Sequence, residues 1–337
     1  MSTITLGKTG LVIEKNGFGC LPIQRLTKEE AVRLLRMAYD GGMTYFDTAR
    51  AYSDSEEKVG EAFEGMRDKV VIATKTHAST GAELKEHLET SLRNLRTDYI
   101  DVYQFHNPAF CPKPGGEDGL YDAALEARAQ GKIRFISITN HSLAVAQEAI
   151  DSGLYATLQF PYSYLAGPKE QGLVDGCAAA GMGFIAMKGM GGGLIQNGLA
   201  AAAFMAGQPN VVPIWGVQRQ WELEQFLSCV KNEPKMTREY QAVIEKDRKE
   251  LAGDFCRGCG YCMPCPAGIE INTCARMSLM LRRAPTEAWL TPENQAKMAK
   301  IQDCLHCGQC KSKCPYGLDT PRLLEENYRD YQTFLAR

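Results

Sequence analysis

Eight cysteines set at near-constant spacing constrain this chain more than any other feature. The first run is Cys256-x2-Cys259-x2-Cys262-x2-Cys265-Pro266, and the second is Cys304-x2-Cys307-x2-Cys310-x3-Cys314-Pro315. Of 13 cysteines, nine lie between Cys256 and Cys314, while Cys20, Cys111, Cys177 and Cys229 are scattered through the first 250 residues. Such crowding means disulfides in an exported protein and metal thiolates in a reducing compartment. Met1–Gly10 has no apolar h-region, and no stretch approaches the roughly 18 apolar residues of a membrane span. The expectation is therefore a cytoplasmic, metal-binding chain that divides near Leu251–Asp254.

Two-residue spacing lets consecutive thiolates wrap one iron–sulfur cluster, and the closing proline turns the chain away from the last ligand. The second run matches the bacterial ferredoxin pattern, in which the fourth cysteine serves the other cluster. That logic assigns Cys256, Cys259, Cys262 and Cys314 to one 4Fe–4S cluster. It assigns Cys265, Cys304, Cys307 and Cys310 to a second. The first run is one residue short before its Cys-Pro, so the partition is less determined than the ligand set. Zinc is the alternative, but zinc knuckles use paired C-x2-C units separated by longer loops. Cys274 fits neither run and is read as a packing residue. The linker between the runs is too long for a compact ferredoxin. Asn272–Arg283 and Pro292–Ile301 are expected to be helical, so the module resembles two-cluster ferredoxins built on helices.

The first 250 residues alternate short β-type runs with amphipathic helical stretches. The strand candidates are Gly17–Cys20, Met43–Phe46, Val70–Thr74, Ile100–Phe105, Ile133–Ile138, Ala156–Phe160, Gly183–Met187 and Val211–Trp215. Gly41, Gly131, Gly153 and Gly181 stand where helix C-terminal glycines belong. Eight such units over about 250 residues predict an α/β fold, a closed (β/α)8 TIM barrel. A doubly wound sheet ranks lower, because no G-x-G-x-x-G follows the first strand. Thr3–Leu6 and Leu11–Ile13, broken by Gly7–Gly10, predict a hairpin that plugs the bottom of the barrel.

In this fold, chemistry sits at the C-terminal ends of the strands. Asp47, Lys75 and His106 fall there, and Tyr52 lies in the loop after Asp47. Singly, each has a bland reading as a cap, a snorkelling cation or a backbone-bonded ring. Together they make an acid. A phenol with a pKa of about 10 is a weak acid at neutral pH. A nearby ammonium stabilises phenolate, and a carboxylate keeps that ammonium charged. A neutral histidine orients a carbonyl.

These residues carry a family resemblance. Asp47-x-Ala49-x-x-Tyr52, Lys75 and His106, with Leu6-Gly7-Lys8-Thr9-Gly10-Leu11 and Gly17-Phe18-Gly19, resemble the aldo–keto reductase superfamily over roughly Ile4 to Val230. The resemblance implies NAD(P)H-dependent carbonyl reduction. Tyr52 would be the general acid, Asp47 and Lys75 would tune it, and His106 would position substrate. Thr139, Asn140 and Gln159 match positions that hydrogen-bond the nicotinamide carboxamide. Where most members place an aromatic ring against the nicotinamide, this chain has Met187. Where NADP-binding members carry a basic residue and an Asn, it has Glu222 and Phe226. A carboxylate there disfavours a 2′-phosphate, which points to NADH over NADPH. Lys188, Gly189 and Gly191, in the glycine-rich loop after the seventh strand, are candidates to cradle a pyrophosphate or the phosphate of FMN.

The domains expected are a barrel over 1–236, a helical linker over 237–253 and a two-cluster 4Fe–4S ferredoxin-like domain over 254–337. Nicotinamide carries two electrons as hydride and a 4Fe–4S cluster carries one, which leaves three readings. The first is carbonyl reduction by NAD(P)H, with clusters that exchange electrons with a partner protein or support the fold. The second is a flavin-containing reductase fed by the clusters. The third is an electron carrier whose barrel is not catalytic. The acid–base set favours the first. A net charge of -2 with no long single-sign run gives no reason to expect nucleic acid or membrane as a partner.

Overall fold

The computed structural model describes residues 2–251, 255–283 and 286–336. The chain forms two compact units, Met1–Gly189 with Asn197–Ile244, and Met190–Gln196 with Glu245–Arg337.

The first unit opens with an antiparallel pair, β1 (Thr3–Thr5) and β2 (Val12–Glu14), in which Ile4 faces Ile13. Eight parallel strands follow: β3 (Gly17–Gly19), β4 (Tyr45–Asp47), β5 (Val71–Thr76), β6 (Ile100–His106), β7 (Ile133–Thr139), β8 (Thr157–Pro161), β9 (Gly183–Met187) and β10 (Val211–Gly216). They pair in sequence order, and β10 returns to β3, closing the barrel expected from the sequence. Strands covered on both faces read as near-continuous apolar runs. Ile72 through Thr76 are accordingly all buried.

The outer ring is α1 (Lys28–Asp40), α2 (Ser55–Phe63), α3 (Gly81–Asn94), α4 (Leu120–Ala129), α5 (Leu143–Ser152), α6 (Pro168–Ala180), α7 (Gly198–Ala206) and α8 (Gln220–Lys231). Thr27 and Glu30 close a capping box at the start of α1, satisfying two orphan amides. Gly153 and Gly181 end α5 and α6 at φ 65°, a conformation costly to any residue with a Cβ.

Leu6, Leu11 and Ile13 from the hairpin region join Tyr45, Ala73, Val102, Ile185, Val212 and Ile214 in one apolar cluster. The hairpin thus fills the barrel interior from the end opposite the polar rim. Each such side chain contributes about 1.5–3 kcal/mol when fully buried.

A further helix, α9 (Arg238–Glu250), leads from the first unit into the second. The second unit is mainly helical, with α10 (Ile271–Cys274), α11 (Met277–Arg283), α12 (Pro292–Ala299), α13 (Gln309–Ser312) and α14 (Thr320–Leu335). The helix expected over Asn272–Arg283 is broken at Ala275–Arg276. Asn327 of α14 accounts for the break: its amide donates to the Ala275 carbonyl at 3.2 Å and its oxygen accepts from the Ser278 amide at 2.8 Å. One side chain so replaces helix bonds on both sides of the interruption. Tyr331, fully buried one turn further along α14, donates to the Trp289 carbonyl at 2.8 Å. Among the described residues, no helix is long and apolar enough to cross a membrane.

Candidate active site and cluster ligands

Strand register assembles the polar rim. Asp47 pairs with Ala73, Lys75 with Gln104, His106 with Thr139, and Thr139 with Gln159. Residues from five neighbouring strands are thereby brought to one level of the barrel. The Lys75 ammonium donates to Asp47 Oδ1 at 2.5 Å and to the Thr48 carbonyl at 2.6 Å. Asp47 also accepts from the Gln104 amide at 3.1 Å and the Gln159 amide at 3.3 Å. Both charged side chains are buried, Lys75 to 1% and Asp47 to 2% exposure. Burial pushes the Asp47 carboxyl above its ordinary range, while Lys75, Gln159 and Gln104 oppose that shift.

Tyr52 lies in the turn after β4, its amide bonded to the Ala49 carbonyl, followed by Ser53 at φ 40°. The Lys75 ammonium is 5.0 Å from the centre of its ring. The sequence led us to expect that this cation pulls the phenol into a more acidic range. Burial first, then Asp47 and Cys20, hold the phenol above its ordinary value in this structure. The dominant cause is desolvation of the buried phenol, and the ammonium's own hydrogen bonds go to Asp47 and the Thr48 carbonyl. A phenol in that state stays protonated at neutral pH and is a donor.

His106 meets Tyr52 edge-on, ring centres 5.8 Å apart. Burial, then the charges of Lys75, His77 and His141, hold its imidazole well below the ordinary histidine range. Among the described residues, its buried Nδ1 has no hydrogen-bond partner. The ring is therefore neutral with one nitrogen open. Two contributors escaped the sequence reading. His77 stacks on His106 with ring centres 3.9 Å apart, and Gln104 bonds Asp47 from inside the barrel. Their one sequence signal is position, two residues past Lys75 and two before His106.

Thr139, Asn140 and Gln159 are all buried at the same end. Gln159 Oε1 is buried with no partner among the described residues, an acceptor open to an N–H donor. Asn140 is otherwise engaged. Its amide donates to the Pro108 carbonyl at 2.8 Å, and its oxygen accepts from the His141 and Ser142 amides at 2.9 and 2.7 Å. Met187 ends β9, and its carbonyl accepts from the Tyr162 amide. Lys188 follows at φ 58°, and Gly189 packs against Trp215, where a Cβ would lie 2.7 Å from the indole.

The Glu222 carboxylate caps α8, accepting from the Gln218 and Arg219 amides at 2.9 and 3.1 Å. Phe226 stacks on Trp215 at 4.3 Å and offers no polar group. Gly191 belongs to the second unit, in a tight turn over Gly191–Gly193.

In the second unit, Cys262, Cys265, Cys304, Cys307 and Cys310 line one common cavity. Cys256 has Cys259 and Cys314 as neighbours, Cys262 has Cys256, Cys259 and Cys310, and Cys310 has Cys304 and Cys265. Burial, ahead of those neighbours, pushes the Cys262 thiol up to about 12. Two thiol groupings in one small unit suit a pair of polynuclear clusters, whose positive irons would reverse that shift. Cys274 is buried, and its thiol donates to the Lys297 carbonyl at 3.5 Å, a packing role.

Comparison with known proteins agrees with both halves. The profile of the "Aldo/keto reductase family" matches residues 4–201, and that of a "4Fe-4S dicluster domain" matches residues 255–319. Aldo-keto reductase YhdN of Bacillus subtilis is 32% identical over 198 residues, covering 52% of this chain and 57% of that protein. The chain spans little more than half the length of the curated relatives it matches, 57% and 55% for two of them. Aldo-keto reductase AKR11C1 from Bacillus halodurans, solved in its holo form, superposes with a TM-score of 0.65 at 22% identity, covering 73% of this chain and 96% of that one. An aldo-keto reductase from Klebsiella pneumoniae in complex with NADPH superposes with a TM-score of 0.62 at 24% identity, covering 73% and 95%.

Proposed function

Since the chain belongs to the aldo/keto reductase family and carries a 4Fe-4S dicluster domain, we propose that it reduces the carbonyl of a small molecule with a nicotinamide cofactor. The observation that carries this reading is the buried Lys75–Asp47 pair set 5.0 Å beneath the ring of a protonated Tyr52, with a neutral His106 edge-on to it.

When bound, the dihydronicotinamide supplies hydride to the carbonyl carbon. The protein supplies the proton and the geometry. The Tyr52 phenol donates to the carbonyl oxygen as negative charge grows there. As the phenol becomes phenolate, the Lys75 ammonium is already in place and needs no reorientation, because Asp47 and the Thr48 carbonyl hold it. Neutral His106 orients the carbonyl through its open nitrogen without competing for the proton. Gln159 and Thr139 would hold the carboxamide and Met187 would pack on the ring; Asn140 would join only by releasing Pro108. With Glu222 engaged as a cap and Phe226 apolar, nothing at those positions attracts a 2′-phosphate, so NADH is the favoured coenzyme.

The thiol groupings support ligation of one cluster by Cys256, Cys259, Cys262 and Cys314, and of another by Cys265, Cys304, Cys307 and Cys310. Bound clusters supply one-electron transfer, to an electron-transfer partner protein or to a two-electron centre. Thiolate ligation of this kind suits a reducing, cytoplasmic setting. The departures at Glu222 and Phe226 also favour a second reading, in which the barrel takes FMN in place of the dinucleotide.

Anaerobically purified protein, assayed for iron, sulfide and flavin and then for NADH and NADPH oxidation against aldehydes and ketones, tests both. Carbonyl-dependent NADH oxidation without flavin supports the first reading. Flavin released on denaturation, with no carbonyl-dependent turnover, replaces it with the second.

A further inference from the structure

Met190–Gln196 follows β9 in sequence, yet it belongs to the cluster-bearing unit. Two arginines of that unit hold it. Arg283 Nε donates to the Leu194 carbonyl at 2.6 Å, and Arg276 Nη1 donates to the Gly192 carbonyl at 2.8 Å. Arg276 stands at the break between α10 and α11, so its side chain leaves the backbone where the helix is interrupted.

Two glycines are kept bare against this one guanidinium. A Cβ on Gly192 would lie 3.1 Å from Arg276 Nη1, and a Cβ on Gly258 would lie 2.7 Å from the same atom. Both have left-handed backbones, φ 66° and 63°. Gly258 belongs to the Cys256–Cys259 turn, and its amide donates to the Cys256 sulfur at 3.4 Å. The Arg276 guanidinium is part-buried, and Cys256 is a group that favours its charge. A desolvated cation without a carboxylate is costly unless another anion answers it. A thiolate-ligated 4Fe–4S cluster is such an anion, and it becomes more negative on reduction.

We propose that Arg276 is the counter-charge of the cluster ligated by Cys256, and that its bond to Gly192 links the redox state of that cluster to the order of the Met190–Gln196 loop. This rests on the reading of Cys256 as a cluster ligand. In the step itself, the cluster gains one electron from an external reductant, and no proton or bond is exchanged. The nearby positive charge favours the reduced form, so it raises the midpoint potential of this cluster above its value without Arg276. The extra negative charge in turn strengthens the hold on the guanidinium and, through it, on the loop. Arg276 is a positioning residue, and it reaches the barrel through the covalent run from Met190 back to Met187.

The test uses the full chain, purified anaerobically and titrated with dithionite while the two clusters are followed by electron paramagnetic resonance. In Arg276→Gln, one midpoint should move to more negative potential and the other should stay at its wild-type value. Arg276→Lys, which keeps the charge, should leave both near wild type. Amide hydrogen exchange across Met190–Gln196 in the wild-type protein should slow on reduction, a comparison that needs no variant to assemble. Unmoved midpoints in Arg276→Gln, an equal shift of both, or identical loop exchange in the two redox states would overturn the proposal. Iron and sulfide content tests the ligand reading separately. Protein lacking both overturns that reading and this proposal with it, whereas intact clusters with unmoved potentials overturn only the role of Arg276.

Discussion

The imidazole of His77 lies nearly parallel to that of His106, with ring centres 3.9 Å apart and planes 18° apart. Each ring thus covers one face of the other. Burial and the neighbouring His77 are among the causes that keep His106 neutral. Replacing His77 by Ala should therefore let the His106 pKa rise toward its ordinary value of about 6.5. The acid limb of kcat/KM should move to higher pH, with a loss at pH 8 of only about fivefold, the worth of a ring pair of ~1 kcal/mol. A pH profile of the two proteins checks this, and an unchanged acid limb would count against it.

The depressed His106 pKa also has a sign in stability. Below about pH 6.5 the unfolded chain binds a proton that folded His106 refuses. Stability from this group is thus complete above that pH and is lost as pH falls toward the depressed folded value. Thermal unfolding of the apo-barrel signal across pH 5–8 should show a fall on the acid side that His77→Ala makes shallower.

Asp47 and Lys75 should behave as a pair. Asp47→Asn removes the carboxylate from a buried ammonium whose other acceptor is the Thr48 carbonyl. Breaking a buried pair from one side costs about 3–5 kcal/mol. Adding Lys75→Met removes the stranded charge and should recover much of that loss while activity stays absent. Urea titrations followed by tryptophan emission measure both. Equal stability of the single and double variants would show that the charge is not stranded.

The thiol groupings predict which cysteines share a cluster. Cys314→Ala and Cys256→Ala should lose the same paramagnetic signal, and Cys304→Ala and Cys265→Ala the other. Iron and sulfide should fall by about half in each case. Pairing of Cys314 with Cys304 in this assay would show that each run ligates its own cluster.

The barrel was legible because its strands are short, doubly buried apolar runs closed by helix-ending glycines such as Gly153 and Gly181. The proximity of the four proposed acid–base residues was legible because Asp47, Lys75 and His106 lie at the ends of neighbouring strands and Tyr52 follows in the turn after β4. What the chain order hides is the partner each side chain chooses. Lys75 was expected to draw the Tyr52 phenol down while held by Asp47; the Asp47 bond is there, but burial of the phenol, which chain order does not display, sets the direction of its shift. Gln104 and His77 stand in no motif and meet their partners across strands. The break at Ala275–Arg276 depends on Asn327, some fifty residues later, so local periodicity reads through it. The glycine loop carries no mark of the arginines that hold it. Only the folded second unit sets Arg276 against Gly192.

The most direct test of the central claim is the rate of NADH-dependent carbonyl reduction by Tyr52→Phe, measured beside its cluster absorbance. Loss of the proton donor should lower kcat by about 10²–10⁴-fold. The visible absorbance and the iron content should match those of the wild type. Turnover at the wild-type rate with Phe at position 52 would contradict the assignment of Tyr52 as the acid, and with it the account of the barrel as a carbonyl reductase.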